Sequence, residues 1–108
     1  MRNKLETTRK GKTHTIKLGE VTIDLVVNTN KDGRVLELFA KADGGHAAHA
    51  EDICIPASLA LQYGCPVATL AKQLRWRNYE PHGNFGQPLS ISDGIGKVLM
   101  EYVEEENV

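Results

Sequence analysis

The stretch Thr13-His14-Thr15-Ile16-Lys17-Leu18-Gly19-Glu20-Val21-Thr22-Ile23-Asp24-Leu25-Val26-Val27 decides the fold. His14, Ile16 and Leu18 alternate with Thr13, Thr15 and Lys17, the period of two that marks a half-buried strand, and Gly19-Glu20 breaks the pattern. Val21, Ile23, Leu25 and Val27 resume it with β-branched residues that suit a pleated surface. Asn30 and the Asp32-Gly33 pair then supply the residues of a tight reversal. Strands are therefore predicted over residues 13–18, 21–27 and 35–41, as an antiparallel meander. Such a sheet has an apolar face that the rest of the chain must cover.

The cover reads as helical. Gly44-Gly45 opens a segment with His49, Ile53, Ala57, Ala60 and Leu61 spaced by three or four, ending at Gly64. Pro56 interrupts it, so this helix either kinks at the proline or begins near it. Pro66 suits a first helical turn, and Val67, Leu70, Ala71 and Leu74 form the stripe of a short second helix. Residues 75–89 have no period and are rich in Gly, Pro, Asn and aromatic residues, which predicts a long ordered loop. Ser90 with Asp93 has capping-box spacing, and Ile91, Ile95, Val98, Leu99 and Tyr102 form the stripe of a third helix. The expected class is α+β, a three-stranded antiparallel meander packed against three helices in a βββααα two-layer order. Three strands leave edges and apolar surface that a small chain covers poorly, so a homodimer or higher homo-oligomer is expected.

A chain of 108 residues has room for one core. One domain over 13–108 is expected, preceded by a flexible basic arm over 1–12 that carries Arg2, Lys4, Arg9, Lys10 and Lys12. The share of hydrophobic residues, 41%, and of charged residues, 25%, excludes wholesale disorder and fibrous architectures. A net charge of -1 argues against general nucleic-acid binding, which needs a surplus of Lys and Arg. No apolar run approaches the roughly 20 residues that cross a bilayer, and no signal-peptide segment follows Met1. No membrane partner and a cytoplasmic location are expected. Cys54 and Cys65 lack CxxC spacing and are expected to stay reduced.

The stretch Ala57-Ser58-Leu59-Ala60-Leu61-Gln62-Tyr63-Gly64-Cys65-Pro66 resembles the SLALQYG-x-P core of the TSCPD domain, found near the C-terminus of adenosylcobalamin-dependent (class II) ribonucleotide reductases. Further likenesses follow in the same order: Thr13-His14, Asp32-Gly33, Glu37 with Phe39, and Gly44-Gly45. Glu80-Pro81-His82-Gly83 resembles the family's phenylalanine-x-proline-x-glycine loop, with Tyr79 as a nearby aromatic. The likeness spans roughly residues 9–103, with Pro56 and Cys65 as departures. The reductase's catalytic barrel, radical cysteine, cobalamin site and cysteine-rich tail have no counterpart here. The resemblance thus implies a non-catalytic accessory module beside nucleotide metabolism, without a cofactor, with a ribonucleotide reductase as a docking partner.

The residues themselves offer two ligand-binding segments. Gly44-Gly45-His46 precedes a helix whose free N–H groups can hold a phosphate. The loop carries Arg75, Trp76, Arg77, Tyr79, His82, Asn84 and Phe85, with Asn78 among them. Guanidinium groups clamp phosphates, aromatic rings stack on bases and amides read base edges, which together describe a nucleotide-like ligand. The competing reading puts Trp76, Tyr79 and Phe85 over the end of the core and the arginines in water. His46 and His49, with Cys54 or His82, are too scattered to predict a metal site. Cys54 reads as a small buried hydrophobe and Cys65 as a packing residue near a helix start, so no catalytic residue is assigned. Two further functions stay open: a viral-type sponge that sequesters a nucleotide immune signal, and a protein–protein adaptor.

Overall fold

The computed structural model describes residues 2–3, 10–42 and 45–103. In chain order it contains strands β1 (Lys10–Leu18), β2 (Val21–Thr29) and β3 (Val35–Ala42), then helices α1 (His46–Gln62), α2 (Val67–Leu74) and α3 (Ile91–Met100). The strands form one antiparallel sheet in the order β1-β2-β3, the expected meander followed by the expected helices. β1 starts at Lys10 rather than Thr13, because Lys10, Gly11 and Lys12 pair with Thr29, Asn28 and Val27. These three residues are exposed, so no apolar alternation announced them. Residue 1 and residues 4–9 of the expected arm lie outside the described residues.

One face of the sheet is the core. Ile16 and Leu18, then Ile23, Leu25 and Val27, then Leu38 and Ala40 are buried. The register sets Ile16 opposite Ile23, Leu25 opposite Ala40 and Val27 opposite Leu38, so these side chains stack in rows across the strands. Full burial of a Leu or Ile contributes about 1.5–3 kcal/mol, which makes this face and its cover the main source of stability. The β2–β3 reversal is tied by the Asn30 side chain, whose Oδ1 accepts from the backbone N–H of Asp32 at 3.0 Å and of Arg34 at 2.9 Å. Gly33 takes φ +83° there, a conformation that favours glycine.

α1 runs unbroken through Pro56, which is exposed, so the Asp52 carbonyl that loses its N–H partner lies on the water side. Its buried face is Ala50, Cys54, Ala57, Ser58, Leu61 and Gln62. The stripe expected from apolar spacing lies one residue round from this face: Ala57 and Leu61 hold, whereas His49, Ile53 and Ala60 are half-buried flanks. The difference arises because two of the buried residues are polar and bond to β3. Ser58 Oγ accepts from the Leu38 N–H at 2.8 Å and donates to the Leu38 carbonyl at 3.1 Å, and Gln62 Nε2 donates to the Leu36 carbonyl at 3.1 Å. Arg2 Nε donates in turn to Gln62 Oε1 at 2.6 Å. The helix thereby closes the outer edge of β3 at Leu36 and Leu38.

α3 is the central helix. From Ile91 to Gly96 every residue is buried. Two glycines let it fit: a Cβ at Gly94 would stand 2.6 Å from Ile16 Cγ2, and one at Gly96 would stand 2.9 Å from the Arg75 backbone nitrogen and 3.1 Å from the Ala71 carbonyl oxygen. Gly94 thus admits β1 on one side and Gly96 admits α2 on the other.

Candidate functional site

The long loop between α2 and α3 is organised by a single buried carboxylate. Asp93, 3% exposed, accepts from Arg75 Nε at 3.0 Å, from the Trp76 N–H at 2.7 Å and from the Leu89 N–H at 2.9 Å. Burial opposes its ionisation, but the Leu89 and Trp76 N–H groups and the Arg75 guanidinium outweigh this and hold the carboxyl below its ordinary 3.8. Ser90 caps α3 as its spacing predicts, its Oγ accepting from the Asp93 N–H at 3.0 Å. The Ser90 hydroxyl also donates to the Arg77 carbonyl at 2.5 Å. Asp93 does not complete the box at Ser90. It spends its carboxylate on both ends of the loop instead, which fixes Arg75, Trp76 and Leu89 relative to one another.

Arg75 is consequently a fastening, its guanidinium paired with Asp93 and stacked 4.2 Å from the centroid of the Trp76 ring. Arg77 Nε donates to the Gln73 carbonyl at 3.0 Å. Trp76, Tyr79 and Phe85 do not close the core: they are 71%, 55% and 107% exposed. Trp76 is held at φ +67°, unusual for any residue but glycine. Further along, His82 Nδ1 donates to the Leu89 carbonyl at 3.0 Å. Gln87 Oε1 accepts from the Gly19 N–H and the Asn84 N–H, both at 2.8 Å, which ties the loop to the β1–β2 turn.

This arrangement opens a cleft of about 530 Å³ between the start of α1 and the loop, lined by Gly45, His46, His49, Glu80, Pro81 and His82. Gly45, His46 and His82, expected as ligand-binding residues from two separate segments, come together here. Gly44 lies outside the described residues. Arg75, Trp76, Arg77, Tyr79, Asn84 and Phe85 do not line the cleft; Asp93 holds Arg75 and Trp76 at the start of the loop, and Asn84 belongs to the turn closed by Gln87. Sequence reasoning missed Glu80 and Pro81 as lining residues, although the Glu80-Pro81-His82-Gly83 likeness marked the segment. Gly45 has no side-chain hydrogen bond as the N-cap of α1, and the first turn of the helix carries no acidic residue.

Among the described residues no group of three or more His, Cys, Asp or Glu side chains is placed to hold a metal ion. Cys54 is buried and its thiol is pushed up to about 12, first by burial and then by the charge of Glu51. It is a packing residue in its chemistry. His14 is half-buried, its Nε2 2.6 Å from the Tyr102 hydroxyl.

The model of the TSCPD domain family matches residues 2–103 of the 108-residue chain. The chain belongs to the TSCPD domain family. Searches of curated proteins and of solved structures gave no match. In this TSCPD domain the Ser and Gln of the SLALQYG-like stretch, Ser58 and Gln62, are the side chains that close the β3 edge. The described part of the fold is a meander with three helices and holds no catalytic barrel. None of its helices is long and apolar enough to cross a membrane.

Proposed function

We propose that this TSCPD domain is a non-catalytic accessory module that holds a nucleotide-like anion in the cleft between α1 and the loop. The observation that carries the reading is the convergence of His46 and His49 with His82 around one opening that also faces the start of α1. Helix N-terminal amides and the imidazole N–H groups of His46 and His49 suit phosphate oxygens, and His82, whose Nδ1–H is used on the Leu89 carbonyl, offers its Nε2 as an acceptor to a ligand hydroxyl or N–H. Glu80 in the same cleft disfavours a bare phosphate but accepts hydrogen bonds from the hydroxyls of a ribose, as acidic residues do in dinucleotide sites. The exposed ring of Tyr79, next in sequence to Glu80, is available to a base. The resemblance to the reductase-borne domain supports a ribonucleotide reductase as the partner class of such a module.

A thermal-shift screen of the full chain against nucleoside mono-, di- and triphosphates, deoxynucleotides and cyclic signalling nucleotides tests the reading through stabilisation by mass action. The expected result is a rise in Tm with one class, reduced in His82→Ala and His46→Ala and retained in Phe85→Ala. The class that binds separates reductase effectors from immune signals. No shift with any of them overturns ligand binding and leaves the adaptor role.

A further inference from the structure

We propose that the outer face of α1 is a self-association surface on which a second copy of this chain docks antiparallel, centred on Leu59. This inference stands apart from the cleft and does not depend on its ligand. Ile55, Leu59 and Tyr63 recur at i, i+4 and i+8, so they share one stripe, and they are 66%, 47% and 61% exposed. The stripe lies opposite the face formed by Ala50, Cys54, Ala57 and Leu61, which packs on the core. From Ile53 to Cys65 the sequence contains no Asp, Glu, Lys or Arg. A water-facing helix normally carries charge on its outer side, and apolar character all round marks a helix that is covered on both sides. Phe39, another exposed ring, differs: it lies on the polar outer face of the sheet, with the Lys41 ammonium 5.8 Å from its centroid.

Charge at the two ends of the stripe selects the occupant. Glu51 and Asp52 stand on its N-terminal side. At the other end the Arg34 guanidinium comes within 4.0 Å of where a Cβ on Gly64 would be, and Arg2 is tied to Gln62. Neither arginine has an ion pair among the described residues. A two-fold axis through Leu59 sets Ile55 of one copy against Tyr63 of the other. With a rise of 1.5 Å per residue, Asp52 lies about 10 Å from Leu59 along the axis and Gly64 about 8 Å on the opposite side. The acidic end of each helix therefore meets the basic end of the other. A face with opposite charges at its ends is its own complement under two-fold symmetry, and only in the antiparallel sense. A partner of one sign of charge would leave one end opposed.

Sedimentation equilibrium of the full chain over a wide concentration range tests the proposal. The expected species is a dimer, and Leu59→Asp, a change at an exposed position, weakens it by at least about tenfold in Kd. Asp52→Arg and Arg34→Asp each weaken it, and the double variant restores it, a rescue that misfolding does not produce. In a Cys65→Ser background, Leu59→Cys forms an intermolecular disulfide under mild oxidation and Trp76→Cys does not. A wild-type chain that stays monomeric throughout overturns the proposal and leaves the stripe to a different protein. So does a dimer indifferent to Leu59→Asp, or one cross-linked through Trp76→Cys instead of Leu59→Cys.

Discussion

The loop between α2 and α3 is built in two opposite ways along its length. At its root, Arg75, Trp76 and Leu89 converge on Asp93, which is buried inside α3 and uses both carboxylate oxygens. At its tip, Tyr79 and Phe85 stand in water, and the segment is fastened by the Gly83–Pro88 and Gln87–Asn84 backbone bonds and by the Gln87 amide rather than by these rings. A root of this kind sets where the loop goes, whereas exposed rings at the tip add little to folding. The cleft lies between the two regimes: His82 is anchored by its bond to the Leu89 carbonyl, close to the root, while the open side of the cleft faces solvent. This surface thus has positions fixed from behind at its root and rings left free at its tip.

The sharpest way to break that contrast is Asp93→Ala. It removes the acceptor of two loop N–H groups and leaves the Arg75 guanidinium without its partner, so chemical denaturation should show a loss of about 3–5 kcal/mol. The same carboxylate sets an acid limit. Its pKa is lower in the folded protein than the ordinary 3.8, so the unfolded chain binds the proton more readily. The stabilisation is complete above the unfolded value and is lost as pH falls through the folded one. Stability measured between neutral pH and about pH 2 should therefore fall less steeply below pH 4 in Asp93→Asn than in the wild type. An unchanged acid limb would mean that other carboxylates dominate it.

Gly96→Ala comes next. Its methyl group would press on backbone atoms of Arg75 and Ala71, which cannot swing aside as a side-chain end can, and a cost of about 1–3 kcal/mol is expected from overpacking. Because Arg75 opens the loop, the variant also tests whether the root tolerates a shift of α2 against α3. A loss much larger than this range, with loss of the Trp76 fluorescence signature, would show the root and the helix contact to be one cooperative unit. A loss near zero would show that α2 is loosely held.

The strands and helices were legible in the sequence because their signals are periodic. The alternation through Ile16, Leu18, Ile23, Leu25 and Val27 is the buried face of the sheet, and the stripe through Ile91, Ile95, Val98, Leu99 and Tyr102 is the buried face of α3 and of the turn that follows it. Features that depend on polar groups acting across the fold were not legible. Ser58 and Gln62 look like ordinary helix surface until their bonds to Leu38 and Leu36 are seen. Asp93 looks like a capping residue, and nothing local shows that it reaches Trp76 and Leu89. Gly94 and Gly96 are weak helix formers in a helix whose stripe was clear, and only the neighbouring β1 and α2 explain them. Of the candidate site, Gly45, His46 and His82 were named from two segments by chemistry alone, but their meeting in one cleft required the loop to be folded back by its root. Arg75, the natural phosphate clamp by residue type, is committed to Asp93 instead.

Trp76 should give the smallest effect and the clearest separation of root from tip. Its backbone N–H belongs to the root, bonded to Asp93, while its ring belongs to the exposed side. Its φ of +67° costs a non-glycine residue about 1–2 kcal/mol. Stacking with Arg75 returns about 0.5–1 kcal/mol. Trp76→Gly loses the stacking but also relieves the backbone and keeps the N–H, so the stability change should lie within about 1 kcal/mol of zero. Trp76→Ala loses the stacking and keeps the strained conformation, and should be the less stable of the two by about 1 kcal/mol. Urea denaturation followed by circular dichroism distinguishes them, since both variants lack the chain's single tryptophan. If the two variants are equally destabilised, the backbone at residue 76 is unstrained and its conformation follows from Asp93 alone. If the glycine variant matches the wild type, the fold gains nothing net from the indole, and a role for that ring must be sought in what it meets outside the chain.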